Sequence, residues 1–123
     1  MSQKSVSKKT NPELIALVDS LRTAGREQGA PIWRDIASRL ERPASLWAEV
    51  NVSKLERVLQ DGETAIVPGK VLSAGAITRP VTVAAFRFST GARAKITDAG
   101  GKCITLGDAI SKNKGGKSCR IVG

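Results

Sequence analysis

The chain has 123 residues, enough for one domain with a single core, and its 41% apolar content excludes global disorder. Its 20 Lys and Arg against 11 Asp and Glu give a net charge of +9 and a pI near 10.2, a self-repelling balance that calls for an anionic partner. No apolar run approaches the ~18 residues of a membrane span, the first residues lack the apolar stretch of a signal peptide, and the absence of His removes the commonest acid–base and metal-ligating side chain.

Residues 1–10 carry Lys4, Lys8 and Lys9 among Ser, Gln and Thr, and read as a flexible basic arm. Asn11-Pro12-Glu13 then opens a helix with an N-cap, a Pro at the first position and an acid in the first turn. Leu14, Leu17, Val18 and Leu21 share one face of it, and Gly25 or Gly29 ends it. Pro31 starts a second helix with Ile32, Trp33, Ile36, Ala37 and Leu40 inward, stopped by Pro43.

An extended stretch, Glu49-Val50-Asn51-Val52, leads to Ser53-Lys54-Leu55-Glu56, whose spacing predicts a capping box at the start of a short helix. From Asp61-Gly62 onward the pattern becomes strand-like. Thr64 to Val67 stops at Pro68-Gly69, and Lys70 to Ser73 follows as a separate strand. Thr82 to Phe86 is apolar on both faces, as a strand covered on both sides would be. Ser89 caps a helix through Ile96 that closes at Gly100-Gly101. Cys103 to Leu106 reads as another buried strand, with Cys103 a small core residue, and a short helix runs through Ala109 and Ile110. The order describes a mixed α/β domain with N-terminal helices over residues 11–110. Residues 111–123 read as a basic tail, in which Arg120-Ile121-Val122 is the one stretch with strand character, so its removal should leave most of the stability intact.

The charge is uneven along this plan. Residues 11–67 hold seven bases and nine acids, whereas residues 68–102 hold Lys70, Arg79, Arg87, Arg93, Lys95 and Lys102 against Asp98 alone. The tail adds Lys112, Lys114, Lys117 and Arg120. A surface meant only for solvation mixes both signs, so a one-sided basic half points to a polyanion, with binding that weakens steeply with salt. With no Tyr, and with Phe86 and Phe88 in a core-like strand, there is no aromatic platform for single-stranded bases, and folded RNA read by phosphate and shape fits best. A small DNA-binding nucleoid protein is the alternative that composition also allows.

Other chemistry finds little support. Gly62 and Gly69 are too far apart for a phosphate loop, and Lys70 precedes Val71 where such a loop needs Ser or Thr. Cys103 and Cys119 cannot close a four-ligand zinc site. A helix-turn-helix at residues 31–42 is opposed by Gly29-Ala30-Pro31 and by a core-facing Trp33. No enzyme activity, cofactor or metal is expected.

Three runs carry a resemblance: Trp33-Arg34-Asp35-Ile36-Ala37-Ser38-Arg39-Leu40, Val50-Asn51-Val52-Ser53-Lys54-Leu55-Glu56-Arg57, and Val67-Pro68-Gly69-Lys70-Val71-Leu72. Val83-Ala84-Ala85-Phe86-Arg87-Phe88-Ser89 and Ala99-Gly100-Gly101-Lys102 extend it over nearly the whole chain. In this order they resemble the L-eighteen-e family of archaeal and eukaryotic large-subunit ribosomal proteins, and the short length looks archaeal. The resemblance implies an irregular strand-strand-helix superhelix with short strands, shared with bacterial ribosomal protein L-fifteen. It also implies a structural role on large-subunit ribosomal RNA beside neighbouring ribosomal proteins in the cytoplasm, with no membrane and no small-molecule substrate. Arg39, Lys54, Arg57, Lys70, Arg87 and Lys102 fall inside matching motifs and become the better candidates for RNA contact; Arg79, Arg93, Lys95 and the arm and tail cations rest on charge alone.

Overall fold

A computed structural model describes residues 12–112, 116 and 118–123. The arm at residues 1–10, the Asn11 cap, Lys114 and Lys117 lie outside the described residues.

The first helix, α1 (Pro12–Glu27), buries Leu14, Val18, Leu21, Ala24 and Gly25 along one stripe. It is Gly29, at φ +60°, that turns the chain out of the helix, since a left-handed residue after the last turn is most easily a glycine. Gly25 instead lies within α1, where a β-carbon would collide with the Arg34 side chain. Helix α2 (Pro31–Leu40) follows at once and buries Trp33, Ile36, Ala37 and Leu40 completely. An ion pair between Arg22 and Glu41 ties α1 to the end of α2.

After a 3-10 turn at Ala44–Leu46 come β1 (Ala48–Asn51), α3 (Val52–Val58), β2 (Thr64–Leu72), β3 (Thr82–Phe88), α4 (Thr90–Asp98), β4 (Lys102–Thr105), α5 (Leu106–Lys112) and β5 (Cys119–Ile121). All five strands are parallel. The sheet runs β1-β2-β3-β4, and β5 also pairs with β2. Strand β2 has only two edges and β3 occupies one of them. On the other edge β5 lies beside Thr64 to Ile66 and β1 beside Gly69 to Leu72, so the two short strands share it end to end.

Helices cover both faces. Ile66 and Ala84 point to a core shared with α1, α2 and α5, whereas Ala65, Val67, Val83 and Ala85 point to one shared with α3 and α4. This two-residue alternation between two buried layers is the pattern of a doubly covered parallel sheet. The α/β class and the N-terminal helices expected from the sequence are those of the structure.

Parallel strands need a crossover, commonly a helix. Between β2 and β3 a loop, residues 73–81, makes it without one. Asn51 Oδ1 accepts from the Ala74 amide at 3.2 Å, and Lys95 Nζ donates to the carbonyls of Ser73 (2.7 Å) and Gly75 (2.6 Å). Glu56 accepts from the Thr78 amide at 3.2 Å and from the Thr78 hydroxyl. Arg79 donates to the carbonyls of Glu56 (2.8 Å) and Leu59 and meets Asp61 at 3.3 Å.

These anchors overturn the capping box: Asn51 precedes the first turn of α3, no side chain caps it, and Ser53 lies within the helix. Glu56 serves the crossover instead, because Thr78 offers it two donors. Its carboxyl is held below the ordinary glutamate value of 4.5 by the Thr78 hydroxyl first, then the Thr78 amide, with the Arg79 charge adding to them against some desolvation. A depressed folded pKa makes this contribution to stability complete above pH 4.5, and it is lost as pH falls through the lower folded value. Glu56→Gln should therefore lower the unfolding midpoint at pH 7 and narrow its gap from wild type as pH drops below 4.5, in acid thermal melts. A gap constant with pH would show that the charge of Glu56 is immaterial.

Three further expectations change. Pro68-Gly69 does not stop a strand; β2 continues through it with a register shift between Val67 and Lys70. An irregularity of this kind is where a sheet tolerates a proline that has no N–H to donate. The stretch from Cys103 is not a buried strand, since β4 pairs with β3 alone, and an edge strand leaves Cys103 and Ile104 half-buried. The end of the chain is also more than tail: Val122 is 3% exposed and Ile121 is packed on the core, so deleting residues 111–123 removes part of the fold.

Candidate nucleic-acid interface

In a parallel sheet the carboxyl ends of the strands gather at one end, and three cations without a carboxylate partner among the described residues, Lys70, Arg87 and Arg93, lie there. Lys70 on β2 and Arg87 on β3 are register partners, and both are exposed. Arg93 projects from the start of α4 and lies 5.0 Å over the ring of Phe88, the register partner of Val71. Arg87 lies 4.8 Å over Phe86. Among the described residues none of these three cations pairs with a carboxylate, although Glu49 shares the register row with Lys70.

Two caps set the local backbone here. Ser89 accepts from the Ala92 amide at 3.1 Å, as its position predicts, and so fixes the turn from β3 into α4. At the start of α5, Thr105 Oγ1 accepts from the Asp108 amide at 3.0 Å while Asp108 reaches back to the Thr105 amide at 3.5 Å. That Thr-x-x-Asp spacing was readable in the sequence, and it aligns Asp108 beside the cation cluster.

Other candidates are placed elsewhere or otherwise engaged. Arg120 grips Glu63 with two bonds of 2.9 and 3.0 Å, which hold the Glu63 carboxyl below its ordinary value. Arg79 and Lys95 brace the crossover. Arg39 pairs with Asp35 at 2.9 Å and approaches the Gly123 carbonyl at 3.4 Å. Lys54 and Arg57 lie half-buried and exposed on α3, Lys102 begins β4 at the far end of the sheet, and Lys112 is exposed at the end of α5. The alternation Phe86-Arg87-Phe88 is the one sequence cue to these stacks, and by itself it reads as a core strand.

The cysteines stand apart from this chemistry. Cys103 on β4 and Cys119 on β5 are separated by β3 and β2, about 14 Å at the usual strand spacing. Burial pushes both thiols up, with Arg93 offsetting part of the effect at Cys103, so both are protonated at neutral pH. Among the described residues no group of three or more His, Cys, Asp or Glu is arranged to hold a metal, and no helix is long and apolar enough to cross a membrane.

Exposed cations adjacent in the sheet, with no ion-paired carboxylate among the described residues, have the character of a surface for a polyanion. Comparison with known proteins narrows the kind. Residues 47–104, from β1 through β4, match the model of a family described as the ribosomal proteins 50S-L15, 50S-L18e and 60S L-twenty-seven-A. The large ribosomal subunit protein eL18 of Methanospirillum hungatei is 50% identical over 93% of this chain and 94% of its own length. Those of Halobacterium salinarum and Methanopyrus kandleri are 46% and 49% identical over 93% and 92% of this chain, covering 97% and 93% of theirs. Identity at this level spans nearly the whole of both partners in each comparison, and the chain belongs to the eL18 family of large ribosomal subunit proteins.

Proposed function

We propose that this chain is a structural constituent of the large ribosomal subunit. It works in the cytoplasm as part of the ribosome, not as an enzyme, and binds folded ribosomal RNA through phosphate and shape contacts beside neighbouring ribosomal proteins. The observation that carries the reading of the surface is the pair Lys70–Arg87 with Arg93: exposed cations, adjacent in the sheet, with no carboxylate partner among the described residues. Membership of the eL18 family supports the assignment of that surface to large-subunit RNA, and nothing favours the nucleoid alternative. The residues that serve it best are Lys70, Arg87 and Arg93, with Lys54, Arg57 and Lys112 as further contacts and Lys102, at the other end of the sheet, as a separate one. The lysines of residues 1–10 and 111–117 add charge for the same partner, whereas Arg79, Lys95, Arg120 and Arg39 act mainly within the domain. No membrane and no small-molecule substrate is part of this role.

Sedimentation of cell extract through salt gradients tests the assignment, with the protein remaining on the large subunit until salt is high; migration with chromosomal DNA would defeat it. For the surface, Lys70→Gln with Arg87→Gln should reduce the slope of log affinity against log salt by about 1.5 to 2 on large-subunit RNA. An unchanged slope would place the phosphate contacts elsewhere.

A further inference from the structure

Arg87 and Arg93 are backed by rings instead of acids. Each guanidinium lies over a half-buried phenylalanine, Phe86 and Phe88 respectively, and Phe86 is braced edge-on by Trp47 at 5.2 Å. Beside the two stacks opens a cleft of about 260 Å³, bounded by the two rings, Ile104 of the exposed edge strand and Asp108.

Local energetics do not account for this arrangement. Lys70 stands directly beside Arg87 in the sheet, and like charges so placed repel. Arg93 is in the first turn of α4, where the helix dipole disfavours a cation. Asp108, the one carboxylate lining the cleft, is engaged in its reciprocal cap with Thr105 and forms no ion pair with either arginine. An anion in the cleft would relieve both oppositions. A guanidinium lying flat on a ring presents its outer plane to a second flat group, and its fork suits a phosphate, neither of which an ammonium provides. The cleft lining is mixed, with Ile104 and the ring edges beside Thr105 and the two guanidinium groups, so the fitting ligand is a phosphate joined to a planar group.

We propose that this cleft takes one unpaired nucleotide of the bound RNA, its phosphate held by Arg87 and Arg93 and its base stacked on the ring-backed guanidinium planes. A paired nucleotide does not fit, because its base is already enclosed between neighbours in the helix. The inference rests on the reading of the chain as a large-subunit RNA binder and adds a single-nucleotide contact to a surface otherwise reading phosphates.

The test uses the full chain and deproteinised large-subunit ribosomal RNA, comparing wild type with Arg87→Lys/Arg93→Lys, which keeps charge and removes the planes. Affinity should fall about tenfold, within the range for loss of a base stack, with no change in salt slope. Base-specific chemical probing should show an unpaired nucleotide protected by wild type and left reactive by the variant. Thermal midpoints within a degree or two of each other would establish that folding is intact; if the variant melts early, the same comparison is made with each single Arg→Lys change. Equal affinity of the lysine variant, or the absence of any such nucleotide, overturns the proposal while leaving the ribosomal reading in place. Failure of wild type to prefer this RNA over bulk transfer RNA would instead defeat the ribosomal reading, and the proposal with it.

Discussion

Gly69→Ala is expected to lower the free energy of unfolding by about 3 kcal/mol, at the upper end of what overpacking a well-fitted interior costs. Gly69 is buried in the middle of β2, where the register shifts, and is paired with Ala48 of β1. A β-carbon there would fall on the Ala48 carbonyl oxygen and lie 2.9 Å from the Ala48 nitrogen. Backbone, unlike the end of a flexible side chain, has no rotamer into which to retreat, so β1 would have to move off β2. The matching control is Gly107→Ala, inside α5, where the added carbon meets only Thr105 Oγ1 at 3.7 Å. There alanine should stabilise by up to about 1 kcal/mol, the usual gain over glycine in a helix. Urea melts of the two variants should move in opposite directions. A shift below about 1 kcal/mol at Gly69, the floor for overpacking, would show that β1 does not lie so closely against β2.

The same position shows what a sequence reading of this chain reaches. Pro-Gly is ordinary turn chemistry, and read locally it ends a strand; in β2 the neighbouring strands β1 and β3 carry the chain through it. Ser89 and the Ser53–Glu56 pair present similar local signals. Ser89 has no distant competitor for its acceptor and caps as predicted, whereas Glu56 is drawn away by Thr78, which lies 22 residues further along. The apolar spacing of α1 and α2 was legible because 3.6-residue periodicity is itself local. The partners of the cations were not. Arg120 and Arg87 look alike in the sequence, but Arg120 meets Glu63 across 57 residues while Arg87 meets a phenylalanine next to it. Charge density identified the basic half of the molecule; only the folded contacts separate cations that brace the fold, such as Arg79, Lys95 and Arg120, from those left exposed without a carboxylate partner, such as Lys70, Arg87 and Arg93.

Deleting residues 118–123 is expected to cost about 4 kcal/mol, the largest single loss foreseen for a surface segment of this chain. A fully buried aliphatic side chain contributes about 1.5–3 kcal/mol, and Val122 is fully buried with Ile121 half so. Strand β5 also covers the open edge of β2: the Thr64 amide donates to the Ser118 carbonyl at 2.7 Å, and the Val122 amide donates to the Ile66 carbonyl at 3.0 Å. Arg120 with Glu63 fastens the strand from outside. Without it the first half of β2 becomes an unpaired edge beside a core stripped of Val122, so the truncate should melt early and associate through that edge. The charge of residues 112–117 can be separated from the strand that follows them. Replacing Lys112, Lys114 and Lys117 together with Gln should shift Tm by no more than about 5 °C, far less than the truncation, since it removes charge and leaves β5 in place. On large-subunit RNA the same variant should lower the salt slope by about 2 to 3. A truncate with the wild-type Tm would show that β5 adds nothing to the fold. A triple-glutamine variant with an unchanged slope would remove the tail from the RNA surface, leaving Lys70, Arg87 and Arg93 to carry it.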